Sequence, residues 1–152
     1  MDGTVIAHLI IGNSCRNHFL LEVVMTRELG RSEWTTFFDE LSRDLADWET
    51  MVHVLNDDSG AQILSKGLPF NGLTSEEKGG RSVIELLIGA GTADHQTHNI
   101  FDPIKVAFSA RGHGPAGTLD IEDASGTTTL VTFIQPRRDL IELGTTGMVS
   151  VA

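Results

Sequence analysis

A chain of 152 residues is long enough for one hydrophobic core and too short for two comfortable domains. Hydrophobic residues at 40% and charged residues at 21% describe a globular protein rather than a disordered or fibrous one. Against 21 Asp and Glu stand only 11 Lys and Arg, a net charge of −10. That balance excludes nucleic acid, whose phosphates demand a surplus of cations, and disfavours an anionic membrane surface.

Along the chain, the first apolar stretch is Val5 to Ile11, interrupted by His8 and too short to span a bilayer. Asp2 stands where a secretory signal needs basic residues. Cys15 is the one cysteine, so no intrachain disulfide is available and a reducing, cytoplasmic location is expected. Phe19 to Val24 is again apolar without a clear period.

The strongest local signal follows. Trp34, Phe37, Phe38, Leu41, Leu45 and Trp48 fall on one 3.6-residue stripe, with Glu33, Asp39, Glu40, Arg43, Asp44 and Asp47 among the polar residues opposite. Ser32 suits the N-cap, and Glu33 suits the positive end of the helix dipole. The spacing predicts an amphipathic helix over 32–48 whose stripe needs a packing partner. Burying those side chains stabilises by up to about 10 kcal/mol before entropy is charged.

The partner is expected to be a sheet. Thr50 to Leu55 reads as a strand, Asn56 to Gly60 as a turn, and Ala61 to Leu68 as the returning strand. Pro69 to Gly80 reads as a longer polar excursion and Ser82 to Ile88 as a central strand. Ile104, Val106 and Phe108 alternate with polar or small residues, as in a half-buried strand. Arg111 to Gly117 reads as a glycine-rich loop. Leu119 and Ile121 alternate with Asp120 and Glu122, then Asp123-Ala124-Ser125-Gly126 turns the chain into Thr127 to Phe133. Sequential hairpins without helical crossovers predict an α+β fold. An N-terminal amphipathic helix would lie on a curled antiparallel sheet, or a small barrel, of five to six strands. Residues 136–152 read as a loosely ordered tail with a turn at Leu140 to Leu143.

Met25-Thr26-Arg27-Glu28-Leu29, Arg31-Ser32-Glu33-Trp34, Phe37-Phe38-Asp39 and Leu41-Ser42-Arg43 together resemble the opening of a family of short bacterial proteins, the domain of unknown function 5335. Leu68-Pro69-Phe70-Asn71-Gly72-Leu73, His95-Gln96-Thr97-His98, Asp102-Pro103, and Leu119 to Phe133 continue the resemblance over about residues 25–135. It implies a small cytoplasmic bacterial protein and the frame of a single domain over 25–135, and it brings no activity, cofactor or catalytic residue. It also implies that residues 1–24 precede the domain. They read either as an upstream extension from an overlong reading frame or as one or two extra strands at the sheet edge.

The best polar cluster is Asp94-His95-Gln96-Thr97-His98 with Asp102. Imidazole and carboxylate suit zinc, nickel or ferrous iron, so Asp94, His95, His98 and Asp102 are the candidate ligands for a divalent metal. On a strand, however, His95 and His98 point to opposite faces. The plainer reading is a set of exposed loop and edge-strand polar residues. Cys15 as a nucleophile would need a depressed pKa and a neighbouring base such as His8 or His18. Gly89-Ala90-Gly91-Thr92 lacks the further glycines, the lysine and the helix of a phosphate cradle and reads as a turn. No Gly-x-Ser-x-Gly elbow occurs. No residue is assigned a catalytic role and no cofactor is called for.

Two functions remain. One is a non-catalytic module that binds a protein partner, or assembles with itself, through a sheet edge or the acidic helix face. The other is a metal- or small-ligand-binding protein, or an enzyme, centred on His95 and His98 with Asp94 and Asp102.

Overall fold

The structure, a computed structural model, describes residues 5–13, 19–92, 94–111 and 116–135. Cys15 with His18, the core of the 111–117 loop, and the tail from residue 136 with its turn at 140–143 lie outside the described residues. The elements in chain order are β1 (Val5–Asn13), β2 (Phe19–Leu29), a 3-10 turn (Arg31–Glu33) and α1 (Trp34–Asp44). Then come β3 (Glu49–Asn56), β4 (Gly60–Lys78), β5 (Arg81–Ile88), β6 (Gln96–Phe101), β7 (Pro103–Arg111), β8 (Gly117–Asp123) and β9 (Thr128–Ile134).

The helix is shorter than the stripe predicts, and it is not N-terminal, since two strands precede it. Ser32 does not cap it: Gly30 caps a 3-10 turn that leads into α1 at Trp34, the Glu33 carboxylate accepting the Gly30 N–H at 2.8 Å and the Gly30 carbonyl the Glu33 N–H at 2.9 Å. Its end has a physical cause. Asp47 sits at φ 66°, its N–H donates to the Phe70 carbonyl at 2.9 Å, and the Phe70 N–H donates to the Trp48 carbonyl at 2.7 Å. Those bonds to β4 take the backbone that another helical turn would have used. The apolar stripe still faces inward. Trp34, Phe38, Leu41 and Leu45 are buried, and Phe37 and Trp48 pack half-buried at the core's margin.

The described strands form one antiparallel sheet in the order β1-β2-β7-β8-β9-β3-β4-β5-β6. Nine strands replace the five or six expected, and the sheet does not close into a barrel, because β1 and β6 each have one strand neighbour. The sheet curls instead. The ring of Phe70 on β4 meets that of Phe133 on β9 edge to face at 5.0 Å, and His98 on β6 reaches Thr129 on β9. Ile84, Leu86, Ile88 and Ile100 thereby share one core with Val52, Val106, Leu119, Ile121 and Val131. The helix fills the open side of the curl, with Phe37 against Phe108 of β7 at 5.5 Å and the Trp34 indole N–H donating to the Leu29 carbonyl at 3.2 Å.

Pairing corrects two expectations and agrees with a third. Residues 70–78 are not a polar excursion; they continue β4 and pair with β5 along Phe70↔Ile88 to Lys78↔Arg81. The polar run Gln96 to Asn99 is, as expected, an edge strand, pairing with β5 along Leu87 and Leu86. Ile104 is not half-buried: the β7–β8 register shifts between Pro103 and Lys105, and the extra residue stands 59% exposed. No helix among the described residues is long and apolar enough to cross a membrane.

Candidate functional site

β4 runs for 19 residues because it serves two neighbours in turn. Gly60 to Pro69 pairs with β3, and Phe70 to Lys78 pairs with β5. At the crossover each half is left with a second side that no strand among the described residues occupies. The two halves treat that side differently.

The start of the second half, Phe70 to Leu73, is covered by the helix and the turn after it. The Ser42 hydroxyl accepts the Leu73 N–H at 3.0 Å and donates to the Leu73 carbonyl at 3.4 Å. The carbonyl and N–H of Phe70 bond to Asp47 and Trp48. This is a guarded edge, since a strand's spare donors and acceptors are answered by another element.

The first half is open. Among the described residues the backbone hydrogen bonds of Gly60 to Leu68 run to β3 and to no second element; only at its end does the Pro69 carbonyl accept the Gly89 N–H, at 2.9 Å. Two register shifts leave Leu64 and Gly67 as extra residues, with Gly67 at φ 82°, a conformation a Cβ would strain. The bulge at Leu64 breaks the in–out alternation. Ile63 and Leu64 are consecutive yet both exposed, at 63% and 43%, while Ser65 turns into the core. Gly60 to Ser65 carries no charged side chain, and opposite charges stand at its two ends, Asp57 and Asp58 in the turn and Lys66 on the strand. Lysines and acids usually guard an exposed edge; here apolar side chains occupy its middle. On the outer face, Ile63 lies opposite His53, which lies opposite Leu130 of β9.

The residues singled out as metal ligands are placed apart in role. Asp94 and His95 are exposed in the turn between β5 and β6. That turn is fixed by Gly89, whose φ of 138° and approach to the Asp94 carbonyl leave no room for a side chain. His98 is half-buried on β6, with Nε2 at 3.3 Å from the Thr129 hydroxyl, and burial pushes its pKa below the ordinary imidazole value. Asp102 turns the corner into β7 at φ 51°, and its carboxylate takes both Arg81 Nε at 3.2 Å and Arg81 Nη2 at 2.6 Å, which lowers its pKa. Among the described residues no group of three or more His, Cys, Asp or Glu is gathered as a metal site would need.

Other charged groups are answered in pairs. Arg27 meets Glu33, and Lys78 meets Glu85. Asp120, on the outer face near Lys105 and Glu122, is half-buried rather than fully solvated, and burial raises its pKa. A recess of about 350 Å³ beside the helix is lined by Arg27, Leu29, Ser32, Glu33, Thr36, Phe37 and Glu40, and it opens widely to solvent. A second, of about 280 Å³, lies over Ala116 to Thr118 and Thr132 to Gln135.

The edge residues escaped the sequence reading, which took Ala61 to Leu68 simply as a strand. A signal was present: two adjacent apolar residues in a neutral run, in a chain otherwise dense in acids. No curated protein and no solved structure matches the chain. A family profile does, over residues 25–140, from within β2 through β9: the chain belongs to the family of unknown function DUF5335.

Proposed function

We propose that this domain is a non-catalytic interaction module that takes a polypeptide as an added strand along the first half of β4. The observation that carries the reading is the contrast along one strand: the helix guards Phe70 to Leu73, and Gly60 to Lys66 presents backbone and two apolar side chains together. Strand addition draws affinity from main-chain hydrogen bonds and specificity from side chains beside them, and both are on offer here. The helix, by contrast, spends its apolar face on the core and guards the neighbouring edge.

A photoreactive benzoylphenylalanine in place of Gln62, irradiated in cells that make the protein, tests this. The expected result is a covalent polypeptide adduct that is lost when Ile63→Lys is added. The same probe at Asp39, on the outward side of the helix, is expected to give none. Equal labelling from both positions, or none from Gln62, contradicts the reading.

A further inference from the structure

We propose that the strand added at this edge is the same segment of a second copy of the chain, antiparallel about a two-fold axis. This rests on the reading of the domain as an edge-binding module and names its partner. Three features point to self-pairing.

The first is charge. At −10, two copies repel one another over most of their surfaces, so contact is favoured where acid is absent. Gly60 to Ser65 is such a stretch. The second is polarity along the segment. Asp57 and Asp58 lie before it and Lys66 closes it. Antiparallel addition sets the Lys66 end of each copy beside the Asp57–Asp58 turn of the other, twice by symmetry. Parallel addition would set lysine beside lysine and acid beside acid. Charge thus selects the two-fold arrangement, in which one patch complements itself. The third is the exposed pair Ile63 and Leu64 near the middle, where a two-fold axis brings each against its own counterpart or its neighbour.

The bulge at Gly67 ends the straight edge just beyond Lys66, and the bulge at Leu64 bends its middle, so addition is a short pairing rather than an open-ended stack. An interface this short is at the small end of stable associations, and dilution is expected to dissolve it.

Light scattering on the full-length chain after size exclusion, from micromolar to near-millimolar protein, tests the proposal. The expected result is a mass that doubles with concentration. Lys66→Glu alone, and Asp57→Lys with Asp58→Lys alone, are each expected to weaken the dimer about tenfold, and their combination to restore it. Ile63→Lys is expected to abolish it. All of these positions are exposed, so unchanged circular dichroism and thermal midpoint will show that the fold is intact. A dimer indifferent to these changes overturns the proposed site. A strict monomer that still gives a Gln62 adduct with a different polypeptide overturns self-pairing and leaves the module standing. A strict monomer with no adduct overturns both.

Discussion

The two halves of β4 share a strand and differ in what meets their second side. From Phe70 onward, a helix and its exit turn answer the backbone, and the side chains of Phe70 and Leu73 are buried. Up to Lys66, the backbone faces outward and Ile63 and Leu64 are solvated. The comparison teaches that edge protection is local in this fold. One helix covers one half of one strand, and it can do so because residues 47–48 stop it early and tie it to Phe70.

Substitution breaks the symmetry of the two halves most sharply in stability. Phe70→Ala removes a fully buried ring packed edge to face against Phe133 and is expected to cost about 3–5 kcal/mol in urea unfolding. Ile63→Ala, in the open half, is expected to stay within about 0.5 kcal/mol under dilute conditions. A comparable loss from both would mean that the open half is not open.

Ser42→Ala probes the guard itself. It leaves the Leu73 N–H without its partner and is expected to cost about 1–3 kcal/mol, with faster hydrogen exchange at Leu73. An unchanged exchange rate would show that another group covers this edge. In the opposite direction, the Thr74 hydroxyl is buried with no partner among the described residues. Thr74→Val keeps the shape and removes the unmet group, so it is expected to raise stability by about 1 kcal/mol. Chemical denaturation of the variant decides the sign.

The smallest effect is a dependence on pH. Burial holds His98 below the ordinary imidazole value of about 6.5, so below that pH the unfolded chain binds the proton more readily than the folded one. Stability is therefore full above about 6.5 and declines as pH falls toward the lower folded value. His98→Gln is expected to flatten that part of the profile in thermal melts between pH 7.5 and roughly 5. A decline of the same slope in the variant would assign it to other groups.

How much of this was legible depends on where each residue's partner lies. The stripe from Trp34 to Leu45 marked the core-facing side of α1, because helical periodicity is a property of the segment itself. The β8–β9 hairpin was equally plain: one oxygen of Asp123 accepts from the Ser125 N–H, the Ser125 hydroxyl and the Thr127 N–H, a turn written in its own residues. The end of α1 was not legible, since it is set by Phe70. The bounds of β6 were not legible either: its exposed Gln96, Thr97 and Asn99 suited an edge strand, but where it begins and ends is set by β5. Ile104 misled for the same reason, because a bulge against β8 turns it outward. The candidate edge lay furthest from view. Whether Ile63 and Leu64 meet solvent depends on β4 changing neighbours at residue 70, and no local pattern announces that change.

Amide hydrogen exchange across β4 at low and high protein concentration puts the central claim to its most direct test. The amides within 60–66 that point away from β3 are expected to exchange fast when dilute and to become protected as concentration rises, while those bonded to β3, and those of 70–75, are slow throughout. Outward-pointing amides of 60–66 that are already slow in dilute solution, or that stay fast at every concentration, would contradict it.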